Sequence, residues 1–579
     1  WVHDFPGTAP GGHTDRVGGR VAAQGYIAAL TDRVREFDST GSLPLFMIFH
    51  DQWYFDQRHG RRWMQLLLDP LGPEMKLPKE AAALQAEVRA AQRSLRDAVA
   101  RSTRLQRLRA ERGDKWLHGY VRVHVNITLP GDPSFRRRLP ARDFAIPFAD
   151  DYMRDHRKVA FYDLTEQDPA RGAALFTGEG VGENYEGARW EDRTVLVKGP
   201  AAIGLKGEAR ALLRSQGFRK DEIPPPLRAE PFPDDFPERV DSLARELTTR
   251  ILQAHNATGY GPKYATALKA GLYNLMPAGS RLLVPDSQWS SFFWAGMLVG
   301  TALRGGRVFI IAARSANAPY GDAAVQTVLT HDVLEGYLQL GEVLKEPLEA
   351  SGGGLRVGLY GQDIDTRSIG ERYQAVIEGL LDPDFPRAAF PFSDETYQRL
   401  GDVQLLEELL VPAVAQPIAA PSAGKPRAPK LHLKSQLFAS GDGFQRLLED
   451  PAWFQVFVNY VAARAKEIAR DPTLAAAGRM TPQLLAPVDS ALYRAPPEER
   501  ARDVFYLLNG SHNQDDRSLI LDGETLCLVA GPESLASLID FMAIAARSTW
   551  VETIEELDQL IPRLPRGTVE AARALRSLF

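Results

Sequence analysis

A single cysteine, Cys527, stands in a chain of 579 residues. An intrachain disulfide is therefore excluded and thiol redox chemistry is a poor candidate, while the redox compartment stays open. Long apolar runs are missing too. The most apolar stretch, Phe292–Leu303 (FFWAGMLVGTAL), falls short of the ~18–20 residues that span a bilayer. Nor is there a long Lys/Arg run: 69 basic side chains face 74 acidic ones, for a net charge of −5. Whole-surface attraction to nucleic acid or to an anionic membrane is unsupported, although a local basic channel is compatible with that balance. What is present, 44% hydrophobic and 25% charged residues, is the composition of a soluble globular protein. At ~100–200 residues per domain, about three units are expected unless large pieces pack as one. The chain starts at Trp1 rather than Met, which reads as a processed or trimmed N-terminus; the location stays unknown, with secreted or periplasmic favoured.

The organising feature is an internal echo. Leu43–Phe55 (LPLFMIFHDQWYF), helix-like Arg58–Leu68 and Tyr120–Ile127 (YVRVHVNI) are matched later by Arg281–Trp289 (RLLVPDSQW), Phe292–Leu303 and Gly306–Ala312 (GRVFIIA). Each set reads strand, helix, strand, and a short helical crossover implies parallel strands in an α/β layer. The first strands even end alike, Asp51-Gln52-Trp53 beside Asp286-Ser287-Gln288-Trp289. A further strand is expected at Leu355–Leu359. Residues 1–222 thus read as a first copy, the Pro-rich segment 223–237 as a linker, and 238–579 as a second copy. Three insertions break the symmetry. Lys79–Arg112, inside a helical insertion at about 72–116, has strong helix formers with no Gly or Pro and reads as a long helix or hairpin. Val411–Lys430 reads as an extended Pro/Ala-rich connection, and the insertion at about 441–502 as two or three helices.

Each echo is followed by His-x-Lys on a strand-like run: His156 and Lys158 in Asp155–Leu164 (DHRKVAFYDL), His432 and Lys434 in Lys430–Phe438 (KLHLKSQLF). A lone His-x-Lys arises easily by chance. On a strand, however, positions i and i+2 share a face, so both side chains of a motif reach one phosphate. Asp163 completes HxKxxxxD. Downstream lie Phe176–Gly187 (FTGEGVGENYEG) and Arg189–Pro200 (RWEDRTVLVKGP), and, in the second copy, Leu507–Glu524 (LLNGSHNQDDRSLILDGE).

His-x-Lys followed by Gly-Ser-x-Asn, a downstream Arg-Ser and then an acidic residue resembles the phospholipase D superfamily, and the ENYEG, WEDR and KGP pieces resemble bacterial cardiolipin synthases and related phospholipases. The resemblance runs roughly from Pro44 to Pro532, outside the insertions. It implies an α/β fold of two tandem repeats, each a mixed, mostly parallel sheet flanked by helices, packed as a pseudo-two-fold pair. By motif position it implies His156 as nucleophile forming a phosphohistidine, and His432 as general acid/base. Lys158 and Lys434 would neutralise the phosphate, Asn513 would donate to one of its oxygens, and Ser511 would help bind there. The carboxylates orienting the two imidazoles are assigned as Asp192 for His156 and Glu524 for His432.

The copies depart from the pattern once each. The first has Gly180 where Asn is expected, so Glu183 or Asn184, or a backbone N–H, would line that part. The second has Ala439 in place of the trailing Asp. No metal or other cofactor is required, and no metal-ligand cluster is apparent. His50, His59, His118, His124 and His255 read as ordinary surface or core residues, and His512 has no role of its own. The expected activity is phospholipase D-type cleavage on the headgroup side of a glycerophospholipid, by hydrolysis or transphosphatidylation. A nuclease of the same superfamily and a degenerate binding-only relative are the alternatives. A phospholipid is the expected partner, with peripheral membrane contact compatible and no nucleic acid expected; a monomer suffices for one site. Aromatic stretches (QWYF, SQWSSFFW) would line an acyl groove or simply fill a core, and the 441–502 insertion would serve as a lid or as structural elaboration.

Overall fold

The computed structural model describes residues 46–50, 82–112, 121–125, 156–178, 190–238, 250–257, 261–314, 320–360, 430–440, 505–530 and 548–576, apart from a few positions within them, together with parts of 28–39 and single residues between 534 and 545. Gly180, Glu183 and Asn184 lie outside the described residues, as do the 441–502 insertion and residues 411–429 of the extended connection. Among the described residues no helix is long and apolar enough to cross a membrane.

The first strand pair forms as the echo implies. β1 (Phe46–His50) and β2 (Val121–Val125) run parallel, Phe46 opposite Val121. Between them Lys79–Arg112 yields two helices in succession, α1 (Ala82–Arg101) and α2 (Thr103–Arg112). The break falls at Ser102, whose hydroxyl donates to Asp38 (2.7 Å) and accepts from the Leu105 N–H (3.2 Å), capping α2. The first His-x-Lys is followed by an antiparallel sheet of β3 (Val159–Tyr162), β4 (Ala173–Thr177) and β6 (Thr194–Lys198), with β5 (Trp190–Glu191) before β6.

The second half builds one eight-stranded sheet in the order β15-β10-β9-β8-β12-β13-β14-β7. Its members are β7 (Arg250–His255), β8 (Arg281–Asp286), β9 (Arg307–Ala313), β10 (Gly354–Tyr360), β12 (Gln436–Ala439), β13 (Phe505–Gly510), β14 (Thr525–Ala530) and β15 (Ser548–Val551). The expected mixed α/β sheet is present, but its parallel share is smaller than expected. Only β8, β9 and β10 run parallel; every other neighbouring pair is antiparallel. The parallel pairs are those joined by helical crossovers, Phe292–Leu303 between β8 and β9 and Tyr320–Val343 between β9 and β10. A short β11 (Lys430–Leu431) leaves this sheet to pair with β5 of the first half.

Helices α3 (Tyr264–Leu275), α4 (Phe292–Leu303) and α5 (Tyr320–Val343) flank the sheet. α4 is apolar all round, the pattern of a helix covered on most sides. Its Trp294, Leu298 and Ala302 are fully buried and share one core with Leu282, Val284, Val308, Ile310 and Leu359. A five-residue helix, α6 (Asp516–Ile520), follows β13 and is capped by Asp515, whose carboxylate accepts from the Ser518 N–H (2.7 Å).

The two halves correspond residue by residue around the motifs. Val159 pairs with Phe176, and continuing the β12–β13 register pairs Ser435 with Asn509. The Gly178 N–H donates to Arg193 O (3.3 Å) as the Ser511 N–H donates to Thr525 O (3.0 Å). Gly178 therefore occupies the place of Ser511 and Asp192 that of Glu524, and by sequence count alone Gly180 matches Asn513.

Candidate active site

Both His-x-Lys motifs sit just before their strands, not within them: β3 starts at Val159 and β12 at Gln436. The shared face expected from strand alternation is replaced by a curl of the lysine. Lys158 Nζ returns to His156 O (3.1 Å), and Lys434 Nζ to His432 O (2.7 Å), where it lies 2.9 Å from the ring's Nδ1. Each entering segment lies beside the other half. The His156 N–H donates to Gly523 O (2.8 Å), and β11 pairs with β5 so that Leu431 is opposite Glu191. Asn509 ties the halves further, donating to Phe176 O (2.9 Å) and accepting from the Ser435 hydroxyl.

This packing crosses the carboxylates and corrects the assignment made from motif order. Glu524 Oε1 is 3.0 Å from His156 Nδ1, and Asp192 Oδ2 is 2.6 Å from His432 Nδ1. Each imidazole is oriented by the acid of the opposite half because its strand enters beside that half's acidic turn. Glu524 is fully buried and also accepts from the hydroxyls of Ser518 (2.7 Å) and Ser511. Ser511 thus supports the carboxylate rather than presenting a free hydroxyl. Asp192 accepts the Arg193 N–H (2.8 Å). Gly178 is required at its place, since a Cβ there would lie 2.2 Å from Asp192 Oδ1.

The charges belong to one site. Burial raises the Asp192 carboxyl to about 6, and both Lys434 and Lys158 pull it back. Burial, and then the charge of Asp522, raise Glu524 to about 8, with Lys158 opposing. Burial lowers Lys434, while Asp192, Asp286 and Glu524 hold its proton on. Lysines of both motifs therefore act on carboxylates of both halves.

Asn513 sits at the end of the Gly510–Asn513 turn. Its Nδ2 donates to Gln288 Oε1 (3.2 Å), and its carbonyl accepts from Lys269 (3.0 Å), which also holds His512 O (3.2 Å). His512 is buried and accounted for by structure: Nδ1 meets Asn513 O (2.8 Å), Nε2 meets Thr266 Oγ1 (3.0 Å), and burial keeps it neutral. His255 is likewise buried, on Thr525 Oγ1, and is lowered to about 3 by burial. His50 and His124 lie on β1 and β2, while His59 and His118 fall outside the described residues.

Lys269, Asp286, Ser287, Gln288, Ser518 and Asp522 escaped the sequence reading. Signals existed for four of them: a lysine inside the apolar pattern of α3, and the Asp286-Ser287-Gln288 echo itself. In the fold, His156, Asp522 and Glu524 bring ligand-type atoms within 4.8 Å of one another, a grouping the sequence did not suggest. All three already have protein partners, Asp522 being bonded to Arg517 (3.1 Å).

No protein-family model and no curated protein matches the chain. Among solved structures, phosphatidylserine synthase from Haemophilus influenzae Rd KW20 is similar at 10% identity and a TM-score of 0.40, over 96% of this chain and 94% of that one. Polyphosphate kinase from Porphyromonas gingivalis is similar at 9% identity and a TM-score of 0.34, over 99% of this chain and 48% of that one. Likenesses this distant say nothing of reaction or substrate.

Proposed function

We propose that the chain is a phosphodiesterase of phospholipase D type that works through a phosphohistidine on His156. The observation that carries the reading is the crossed pair of His–carboxylate dyads, His156–Glu524 and His432–Asp192, with Lys158 and Lys434 acting on both carboxylates. The His156 Nε2 lone pair forms a P–N bond as the P–O bond to the leaving oxygen breaks. The His432 imidazolium gives its Nε2 proton to that oxygen. In the second step His432 takes a proton from water, the water oxygen bonds to phosphorus, and the P–N bond breaks, returning free His156. An alcohol in place of water gives headgroup exchange. The two ammonium groups and the Asn513 amide offset the charge on the equatorial oxygens. The greater exposure of the His432 side chain, 12% against 5% for His156, suits the group that must meet leaving group and water.

A glycerophospholipid is the preferred substrate class. Tyr264, Phe292, Phe293 and Ile520 are exposed apolar side chains beside Lys263, the Gln288 loop and the Asp515–Asp522 turn, at the end of the sheet that carries the dyads. Such a rim suits acyl chains better than a polyanion. The test is an assay of choline, ethanolamine and glycerol release from phospholipid vesicles beside cleavage of single- and double-stranded DNA, with His156→Ala as control. Headgroup release that disappears in His156→Ala supports the reading. DNA cleavage without headgroup release reassigns the substrate, and lipid activity that survives in the variant removes the mechanism.

A further inference from the structure

The Asp286-Ser287-Gln288-Trp289 segment, which echoes Asp51-Gln52-Trp53 in the sequence, is not used by the reaction as drawn. It joins β8 to α4, and its ties run mainly to the turn that carries Asn513. Trp289 is buried and bridges to Gln514, and the N–H groups of Ser290 and Ser291 both donate to Gln514 O (3.1 Å each). The segment is braced from behind by Trp289 Nε1 on Ile311 O (3.3 Å), the Gln288 N–H on Asp286 Oδ1 (2.9 Å) and Arg576 on Ser290 O (3.0 Å). Thus braced, it sets two side chains against the Asn513 amide. Gln288 Oε1 accepts from Nδ2 at 3.2 Å, and Ser287 Oγ lies 3.5 Å from Oδ1.

That arrangement matters because an asparagine amide has two nearly isosteric edges. A half-turn about its last torsion would present the carbonyl oxygen, not an N–H, to a phosphate oxygen and turn attraction into repulsion. The Gln288 acceptor takes one N–H of Nδ2 and leaves the other available. By sequence count the first copy has Gly180 where the second has Asn513.

We infer that Gln288 is a positioning residue that fixes the donor edge of Asn513 toward the phosphate; the inference rests on the phosphodiesterase reading. The test is a double-mutant cycle of Gln288→Ala and Asn513→Ala with bis(4-nitrophenyl) phosphate as probe substrate, reading kcat and KM. Gln288→Ala should lower kcat/KM about tenfold in the wild-type background, the scale of one well-placed hydrogen bond, and change it little once Asn513 is already alanine. Gln288→Met, of similar volume and without the acceptor, should behave the same way and covers the case in which the alanine variant does not fold. Equal losses in both backgrounds, or no loss in either, overturn the inference while leaving the reaction in place. A wild-type chain inert toward every phosphodiester removes the functional reading itself and the inference with it.

Discussion

Asp192→Asn separates the crossed arrangement from an uncrossed one. In the wild type the Asp192 carboxylate, 2% exposed, meets His432 Nδ1 at 2.6 Å and accepts the Arg193 N–H at 2.8 Å. Asparagine keeps the shape and can keep the Arg193 bond, but its NH2 group then faces Nδ1. The neutral imidazole is driven to the tautomer protonated at Nε2, which keeps that proton: 4-nitrophenolate leaves without it, but this ring cannot take a proton from water. Loss of a hydrogen bond to a charged partner costs about 1.5–3 kcal/mol, roughly a 10–150-fold fall in rate. Replacing an orienting carboxylate by its amide in a serine-protease triad costs about 10⁴ in kcat, so the wrong tautomer deepens the loss well beyond that. The second step should suffer most, and phosphorylated His156 should accumulate. Glu524→Gln, which acts on His156, should instead slow formation of the intermediate and leave none to trap. The assay is rapid mixing with bis(4-nitrophenyl) phosphate, alkaline quench and peptide mass spectrometry of the His156 region. Accumulation in Glu524→Gln with none in Asp192→Asn would refute the crossing.

Three further outcomes are expected. Gly178→Ala forces Asp192 away from His432, because the new Cβ would lie 2.2 Å from Oδ1, and should cost about 10–150-fold in kcat while shifting the melting temperature little; unchanged turnover would dismiss that contact. Asn509→Ala removes the amide that joins Phe176 O to Ser435 across the two halves, leaves the buried Ser435 hydroxyl without its acceptor, and should lower the urea-unfolding free energy by about 1–3 kcal/mol, which a wild-type denaturation midpoint would contradict. Burial raises the fully buried Asp286 carboxyl to about 7 against the pull of Lys269 and Lys434, so between its ordinary value and about 7 the folded chain holds a proton that the unfolded chain has released. The corresponding stability is full below about pH 4 and fades as pH rises through 7, by on the order of a few kcal/mol. Calorimetric melting from pH 4 to 8 should show a shallower decline for Asp286→Asn than for wild type, and parallel curves would end that explanation.

Much of this could be read before any coordinates. The run Phe292–Leu303 marks α4 to the residue because it is apolar all round and bounded by a serine and an arginine, and the strands at 46–50, 121–125, 281–286, 307–313 and 354–360 fall where β-rich runs meet turn residues. His156, Lys158, His432, Lys434, Asp192 and Glu524, singled out from the motifs and the resemblance they carry, lie together in the structure. Their partnership was not legible in the motifs. Motif order pairs each histidine with the motif acid of its own copy, whereas strand register across the two halves decides which acid it meets. The parallel share of the sheet was overestimated for a related reason: the echo showed the helical crossovers between β8, β9 and β10 but not the run of neighbours β12–β13–β14. Lys269 and Gln288 lay hidden because the contacts that give them meaning, to His512, Asn513 and the Gly510 turn, are far away in sequence.

The covalent intermediate is the most direct test of the whole account. After a rapid alkaline quench of the wild-type chain turning over bis(4-nitrophenyl) phosphate, the acid-labile phosphoryl adduct should map to His156 and to no other residue. It should vanish, together with turnover, in His156→Ala. An adduct on a different side chain, or undiminished turnover in His156→Ala, would contradict the account.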